Sequence, residues 1–368
     1  MNIFVYAISC RSGGALSVLN DFYEEACRSK TRYPNIKWFF LLSTQQLNET
    51  GNVKIIQKPW CIKSWGLRWV FTNVTTKKLL KQYEPCAVVS LQNMMPKTVK
   101  AKKIVSLHNV LPLYKCDDSV LDTVFQRIKQ KIVNREITKS LMRADAIFVP
   151  SDWIRDALNL KLKVEKSKIF VSPLRIPESS ISTKLTAEEN NLEKTTVFFY
   201  PAAALPYKNH QIIIDACKLL KQEGISDFKV LFTVCANQTK TAKSLSKQAL
   251  DHGLNVEFVG NLPRDEVLKL YRKAVLIFPS RIETDAMPLI ECRQLGGYCI
   301  SADLPYSHSV LDSYKKNSFF AYNNANALKA EMLNAIYGDR NVFSNNDNEQ
   351  ERFQKYSSRI DTIISLRE

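Results

Sequence analysis

Short apolar runs alternate with longer amphipathic stretches along most of the chain. In the amino-terminal half the amphipathic stretches include Ala15–Arg28, Ser64–Gln82 and Ser119–Arg143. This alternation predicts a mostly parallel β-sheet with helices on both faces, since parallel strands need helical crossovers between them. The strands predicted here are Ile3–Ser9, Trp38–Ser43, Val53–Gln57, Ala87–Leu91, Ile104–His108, Ala146–Pro150 and Ile169–Ser172.

The alternation stops at a polar stretch, residues 176–195, which contains Pro177 and predicts a linker. Beyond it the pattern returns and predicts a second α/β domain over residues 196–345, followed by a last helix within 346–368. The predicted strands are Val197–Pro201, Lys229–Val234, Val256–Val259, Leu276–Pro279, Cys299–Ala302 and Phe319–Tyr322. The predicted helices are Asn209–Gln222, Thr241–His252, Arg264–Lys273, Pro288–Leu295 and Ala325–Ala335.

The pattern as a whole predicts an α/β fold of two Rossmann-like domains, residues 1–175 and 196–345, that face each other across a cleft. Ligands of doubly wound folds bind in loops that follow the carboxyl ends of strands. Candidate chemistry is therefore expected at the strand-to-helix junctions.

The most informative junction is Phe278–Glu291, which reads FPSRIETDAMPLIE. Glu283 follows a strand, and Pro288 opens a helix in whose first turn we expect Glu291. The backbone amides of Ala286, Met287 and Leu289 are expected to point from the helix start and to hold a pyrophosphate. Glu283 is placed to reach sugar hydroxyls and Glu291 to accept hydrogen bonds from a ribose. The alternative is a loop acid and a helix acid that stabilises the dipole.

Two further junctions lie in the same half of the chain. Lys208 stands at a helix entrance, where an ammonium meets phosphate oxygens, although such a lysine is often solvated surface. Gly260 follows the strand that contains Phe258 and Val259. In the first half, Gly13 and Gly14 follow a strand and let a backbone approach a phosphate, unless they form a simple turn.

Together these motifs resemble the retaining glycosyltransferases of the GT-B fold, in the large family often numbered four and also called glycosyl transferases group 1. The resemblance rests on Lys208, on Phe258-Val259-Gly260, and on Pro279-Ser280 followed by Glu283 and Glu291. It implies transfer of a hexosyl-type unit from a nucleotide sugar with retention at the anomeric carbon, with no cofactor and no metal. It also implies that the last helix crosses back onto the amino-terminal domain.

The resemblance assigns roles to the candidate residues. Lys208 and the helix-start amides neutralise the leaving nucleoside diphosphate, and Glu283 positions the sugar. His108, at the end of a predicted strand, corresponds to a histidine that faces the donor sugar, whereas a lone histidine is otherwise structural. The sequence departs from the family at Ala203, where an arginine is usual, and at Thr284-Asp285-Ala286, where glycines are usual.

Charge is distributed unevenly along the chain, whose formal net charge is +16. Residues 1–180 hold 29 Lys and Arg against 14 Asp and Glu, a net of +15, while residues 181–368 hold 23 against 22, a net of +1. This asymmetry indicates an anionic partner for the first domain. Apolar residues at 45% favour a globular protein, and nine scattered cysteines without a C-x-x-C pair favour reduced thiols over a zinc site.

Basic residues recur every four positions over one predicted helix, at Arg127, Lys131, Arg135 and Lys139, with Ile128, Ile132 and Leu141 as its expected buried side. Lys100, Lys102 and Lys103 form a second cluster. We expect these surfaces to meet an anionic membrane and a lipid-linked oligosaccharide acceptor of surface-polysaccharide assembly, such as O-antigen, unless they are ordinary solvated faces. The expected location is cytoplasmic and peripheral, at the inner face of the cytoplasmic membrane.

Three other functions compete with glycosyl transfer. A nucleic-acid-binding protein would explain the basic half but leaves the glutamate pair without a role, and no recognition motif is present, so no nucleic acid is expected. A sugar-nucleotide epimerase shares the fold and is distinguished by its independence of an acceptor. A non-catalytic binding protein is disfavoured by the set Lys208, Glu283 and Glu291.

Overall fold

The computed structural model describes residues 1–11, 13–44, 47–97, 100–114, 121, 123–173, 195–338 and 356–366. The chain divides into two compact units. The first comprises Met1–Tyr114, Lys131–Ile176 and Glu349–Glu368, and the second Lys115–Gln130 and Pro177–Asn348. The predicted linker, residues 176–195, lies outside the described residues apart from Thr195.

The first unit is built on a seven-stranded parallel sheet. Its strands run in the order β3-β2-β1-β4-β5-β6-β7, so the strand order reverses between β1 and β4. Central strands are buried on both faces, which explains their unbroken apolar sequences. The strands are β1 Asn2–Tyr6, β2 Lys37–Leu42, β3 Val53–Gln57, β4 Ala87–Ser90, β5 Lys102–Ser106, β6 Ala146–Val149 and β7 Ile169–Val171.

The helices described in this part of the chain are α1 Gly13–Arg28, α2 Trp65–Val70, α3 Thr76–Tyr83, α4 Val124–Met142 and α5 Asp152–Leu162. The division between the units falls within α4, so that residues 124–130 belong to the second unit. The single helix predicted over Ser64–Gln82 is wrong in detail, because a π-helical turn, Phe71–Thr75, separates α2 from α3. Phe71 is fully buried in that turn, and its ring lies 5.5 Å from that of Trp60. No helix among the described residues is both long and apolar enough to cross a bilayer.

The second unit repeats the arrangement with six parallel strands in the order β10-β9-β8-β11-β12-β13. The strands are β8 Thr196–Tyr200, β9 Phe228–Phe232, β10 Val256–Phe258, β11 Val275–Phe278, β12 Tyr298–Ala302 and β13 Asn317–Phe320. The helices are α6 His210–Gln222, α7 Lys240–Asp251, α8 Arg264–Lys273, α9 Met287–Gln294, α10 Pro305–Leu311 and α11 Ala325–Tyr337. The predicted fold class, α/β with two Rossmann-like domains, is confirmed.

Strand order fixes where chemistry can gather in the second unit. The order reverses between β8 and β11, which pair directly with Phe198 opposite Val275 and Phe199 opposite Leu276. Ligands of doubly wound sheets bind at the carboxyl ends of the strands beside such a reversal. Lys208 follows β8 and Glu283 follows β11, so the fold brings their loops together at this edge.

The carboxyl-terminal segment belongs to the first unit and ends in a helix, α12, Arg359–Ser365. Arg359 is 6% exposed, and its guanidinium donates to Asp21 at 2.7 Å and to Glu25 at 2.6 Å on α1. The same guanidinium lies 5.1 Å from the centre of the Phe22 ring. A buried charge held by two carboxylates thus fastens the end of the chain to α1.

We predict that Arg359→Ala destabilises the first unit strongly, because it leaves two carboxylates next to each other without their counter-charge. Removing one partner of a buried ion pair costs about 3–5 kcal/mol. Arg32→Ala is the matched control, since Arg32 also pairs with an acid, Asp361, but has a side chain 69% exposed; such pairs contribute about 0–1 kcal/mol. Urea unfolding of both variants measures the difference, and equal effects would contradict this account of the buried triad.

Candidate active site

Lys208 is held at the carboxyl edge of β8 by the backbone that surrounds it. It is the last residue of a 3-10 turn, Pro206–Lys208, and the hydroxyl of the buried Tyr200 donates to its carbonyl at 2.9 Å. The next residue, Asn209, has a left-handed φ of 58°. Its side-chain amide donates to the carbonyls of Pro279, at 3.2 Å, and Tyr322, at 2.9 Å. The turn is therefore tied to the loops after β11 and β13.

Lys208 and Glu283 form an ion pair, with 2.5 Å between Nζ and Oε1. Both side chains are largely buried, at 18% and 13% exposure. Burial alone would lower the pKa of Lys208, but the Glu283 carboxylate outweighs it and the pKa is raised. Lys208 therefore stays cationic at neutral pH. The structure brings Lys208 and Glu283 together at the carboxyl edge of the sheet.

The loop that carries Glu283 is joined to the Lys208 turn along its length. The backbone amide of Arg281 donates to the Tyr207 carbonyl at 2.8 Å, and its guanidinium donates to the Pro206 carbonyl at 2.8 Å. On the other side the hydroxyl of Tyr306 donates to the Ser280 carbonyl at 2.5 Å. These hydrogen bonds to main-chain carbonyls fix the two loops and thereby keep the Lys208 and Glu283 side chains next to each other.

The start of α9 differs from the sequence prediction in two respects. Leu289 donates its amide to the Ala286 carbonyl at 2.8 Å, so it is not available to a pyrophosphate as expected. Glu291 is the fifth residue of the helix and lies beyond its first turn, because α9 begins at Met287 rather than Pro288. Ala286 and Met287 keep the expected position, since amides at a helix start have no acceptor within the helix.

Ala286 adopts a left-handed conformation, with φ 46° and ψ 53°, at the N-cap of α9. This conformation costs a non-glycine residue roughly 1–2 kcal/mol. The loop Thr284-Asp285-Ala286 thus adopts a left-handed backbone at Ala286 although it contains no glycine. The surrounding structure holds Ala286, which is 2% exposed.

Glu291 is 5% exposed and lies beside two residues that the sequence did not single out. Arg264, the first residue of α8, places Nη2 2.7 Å from its carboxylate. The fully buried Tyr271, seven residues further along α8, lies near enough for the Glu291 charge to act on it. Burial, followed by the Glu291 charge, raises the pKa of Tyr271 well above its usual range, so this hydroxyl remains a donor.

His210, the first residue of α6, is also absent from the predicted site. It is buried against the Tyr200 ring, 4.5 Å away, and its Nε2 donates to the Ala202 carbonyl at 3.2 Å. Burial lowers its pKa to about 3, opposed in part by this hydrogen bond. The ring is therefore neutral and adds no positive charge beside the Lys208 turn.

The predicted glycines lie where tight backbone geometry is required. Gly260 has φ 72°, donates to the Val234 carbonyl at 3.3 Å and leaves 3.2 Å between an added Cβ and the Cys235 sulfur. Gly13 opens α1 with φ 57°. A Cβ on Gly13 or Gly14 meets no atom within 4 Å, so the space in front of both is open. Ser12 lies outside the described residues.

His108 follows β5 by two residues in the first unit. Its Nε2 lies 2.7 Å from the hydroxyl of Ser106, and its backbone amide donates to Asn93 at 2.6 Å. Asn93 itself has a left-handed φ of 66°. Ser106, the last residue of β5, and Asn93, in the loop after β4, thus fix the ring and the backbone of His108 at the carboxyl edge where the sequence placed it.

The basic helix α4 differs from its prediction on the apolar side. Leu141 is buried as expected, but Ile128 and Ile132 are 55% and 58% exposed, which contradicts their assignment to the core. The carboxyl-terminal half of the helix packs through Ile137 and Leu141, so its amino-terminal half needs no core contact. Lys131 and Arg135 are exposed, Lys139 is half-buried beside Glu136, and Arg127 is half-buried.

The second basic cluster lies at the opposite, amino-terminal edge of the first sheet. Lys102 and Lys103 open β5, and Lys100 lines a surface hollow with Lys77 and Lys81. No group of three or more potential ligands among the described residues is arranged to hold a metal ion. Asp117 and Asp118 lie outside the described residues.

Asp303, which directly follows β12, forms a cluster with His308 and Asp312. It lies 2.7 Å from Nε2 of His308, whose Nδ1 lies 2.7 Å from Asp312. The ring stacks on Phe319 with 4.4 Å between centroids. A ring with acids at both nitrogens is satisfied fully only when both nitrogens carry protons.

The carboxyl-terminal half of the chain is similar to a known protein family. Residues 182–359 match the family model described as glycosyl transferases group 1. No curated protein matches the sequence significantly. The carboxyl-terminal half of the chain is therefore similar to the group 1 glycosyl transferases, and the predicted GT-B fold is confirmed.

Solved structures of low sequence identity share the fold. Sucrose-phosphate synthase from Thermosynechococcus elongatus matches with a TM-score of 0.72 at 13% identity, over 100% of this chain and 97% of that chain. Anabaena Alr3699/HepE in complex with UDP and glucose matches at 0.64 and 12%, over 92% and 90%. WaaG, a glycosyltransferase involved in lipopolysaccharide biosynthesis, matches at 0.64 and 14%, over 91% and 90%.

We predict that His308 makes stability depend on pH near neutrality. Its hydrogen bond to Asp303 raises its pKa above 6.5, with Asp312 acting in the same sense and partial burial acting against them. The stabilisation is complete below about pH 6.5, the unfolded value, and is lost as the pH rises through the folded pKa. The difference in unfolding free energy between the wild type and His308→Gln should therefore shrink from pH 6 to pH 9. His252→Gln, at an exposed histidine, is the control, and a difference that grows with pH would contradict the assignment.

Proposed function

We propose that this protein transfers a sugar from a nucleotide sugar to an acceptor hydroxyl, with retention at the anomeric carbon and without a metal. The observation that carries the proposal is the Lys208–Glu283 pair, buried at the strand reversal of the second domain beside the start of α9. The match of residues 182–359 to group 1 glycosyl transferases supports the same reaction class.

The chemistry requires charge neutralisation on the leaving side. As the glycosidic bond breaks, negative charge gathers on the nucleoside diphosphate, and fixed positive groups aimed at it lower the barrier. Lys208 supplies a cation, and the amides of Ala286 and Met287 supply the positive end of a helix. Glu283 accepts hydrogen bonds from the sugar, and Glu291 accepts them from the ribose.

The remaining residues are assigned to shape and orientation. Gly260 keeps the loop after β10 tight, and the open space before Gly13 and Gly14 leaves room for a phosphate to approach the backbone. His108, fixed by Ser106 and Asn93, faces the donor sugar from the first domain in this proposal. The HepE structure that holds UDP and glucose makes UDP-sugars the first donors to test.

Release of nucleoside diphosphate from a panel of nucleotide sugars tests the proposal, with and without EDTA. We predict that Lys208→Ala lowers kcat by roughly 100-fold or more, the magnitude typical of losing one transition-state donor, while the melting temperature remains well above the assay temperature. Lys247→Ala, at an exposed lysine of α7, should have no effect. Unchanged turnover in Lys208→Ala would refute the assignment, and conversion of the donor without an acceptor would indicate an epimerase.

The acceptor in this proposal is a lipid-linked oligosaccharide of cell-surface polysaccharide assembly, reached at an anionic membrane surface. Helix α4 supports it, because Val124, Phe125, Ile128 and Ile132 are between 55% and 76% exposed. Helical spacing places these side chains on one face together with Lys131 and Arg135. Residues 124–135 contain no acid, and an exposed face of apolar and basic side chains fits the boundary of an anionic bilayer.

Co-sedimentation with vesicles of phosphatidylglycerol and phosphatidylcholine tests this surface. Each basic residue near an anionic surface contributes on the order of 1 kcal/mol, so Lys131→Gln with Arg135→Gln should weaken binding roughly thirty-fold. Phe125→Ser with Ile128→Ser should remove the part of the binding that survives in 0.5 M salt, a concentration at which exposed charges are screened. Lys243→Gln with Lys247→Gln is the matched control on α7. Equal binding by all three double variants would identify α4 as an ordinary solvated helix.

A further inference from the structure

Glu291 does not stand open to a ligand in this structure, although the proposed function gives it a ribose to bind. Its carboxylate is buried and pairs with the Arg264 guanidinium at 2.7 Å, beside the buried Tyr271. Helices α8 and α9 pack against each other, so these contacts link the first residue of one helix to the second turn of the other.

The two members of this ion pair differ sharply in exposure. The Glu291 side chain is 7% exposed, whereas the Arg264 side chain is 48% exposed. A guanidinium carries five N–H donors in a planar fork that suits phosphate oxygens. One edge of the Arg264 fork is engaged with Glu291, and much of the side chain remains open at the carboxyl edge of the sheet, where α8 begins.

Two of the cations near the start of α9 are each paired with a glutamate. Lys208 is neutralised by Glu283 and Arg264 by Glu291. A nucleoside diphosphate brings at least two negative charges into this neighbourhood, and paired cations do not balance them while each remains shared with a glutamate. Binding is favoured if each glutamate exchanges its cation for a hydroxyl of the ligand, because both charges then find new partners and no buried charge is left alone.

We propose that Arg264 is a phosphate-recognising residue that Glu291 holds in place until the donor arrives. The ribose hydroxyls of a nucleoside diphosphate take over the Glu291 carboxylate, and the half-exposed guanidinium turns to the diphosphate. Arg264 thereby supplies a second cation in addition to Lys208. The inference rests on the proposed function, since it assumes that Glu291 meets the ribose.

A purely structural role for Arg264 makes a different prediction. If Arg264 did no more than orient Glu291, its loss would weaken ligands that carry a ribose and would leave inorganic pyrophosphate unaffected. If it binds phosphate, its loss weakens both. Removing the Glu291 charge has opposite effects on the two ligands in our proposal, because Glu291 competes with pyrophosphate for Arg264 but assists the ribose of UDP.

Isothermal titration of inorganic pyrophosphate and of UDP, without divalent cations, tests the proposal. We expect Arg264→Gln to weaken pyrophosphate binding roughly tenfold, the loss of one charge-assisted hydrogen bond, and Arg264→Lys to fall between it and the wild type. We expect Glu291→Gln to bind pyrophosphate several-fold more tightly, so that its preference for UDP over pyrophosphate falls by at least tenfold. Lys273→Gln, at the exposed far end of α8, is the control and should match the wild type.

Thermal melts establish whether each variant is folded. If Arg264→Gln does not fold, the pyrophosphate affinity of Glu291→Gln decides whether Arg264 binds phosphate. Pyrophosphate affinity that is unchanged in Arg264→Gln, or weakened in Glu291→Gln, overturns the role of Arg264 while leaving the donor site intact. If the wild-type protein binds neither pyrophosphate nor UDP, the role of Arg264 is overturned as well. If the wild-type protein also releases no nucleoside diphosphate from any nucleotide sugar, the proposed function itself is wrong.

Discussion

The ion pair between Lys208 and Glu283 depends on one property of the fold, the direct pairing of β8 with β11. These strands are separated by two other strands in the sequence, yet they are neighbours in the sheet. Their loops leave the same edge and meet, which places an ammonium and a carboxylate 2.5 Å apart in a largely buried position. Without the direct pairing of β8 with β11, the two loops that carry these residues would not be neighbours.

Main-chain contacts hold this pair more firmly than the charges alone would. Arg281, Asn209 and Tyr306 all donate to carbonyls of the two loops, so that the loop after β8 and the loop after β11 behave as one piece. Ala286, in its left-handed conformation, lies at the end of the loop after β11. The arrangement is preorganised in the sense that catalysis requires, because charged groups already in position need little rearrangement when the leaving group develops charge.

The sequence predicted those features of the fold and of the candidate site that depend on local residue patterns. Alternating apolar runs located the strands of both sheets to within a few residues, and motif spacing identified Lys208 and Glu283 together. It missed Arg264 and Tyr271 because their meeting with Glu291 depends on how α8 packs against α9, which no local spacing encodes. It misjudged Leu289 because helix α9 begins one residue earlier than Pro288 indicated. Apolar spacing on α4 predicted burial of Ile128 and Ile132, whereas only the second half of that helix has a core to contact.

The central claim is that a nucleotide binds where the loops after β8 and β11 meet. Amide hydrogen exchange, followed with and without UDP, tests it most directly because it reports each loop of the folded protein separately. We predict new protection in residues 201–209 and 279–290 of the wild type, and its loss in Lys208→Ala. Protection that appears elsewhere while both loops exchange unchanged would contradict the account.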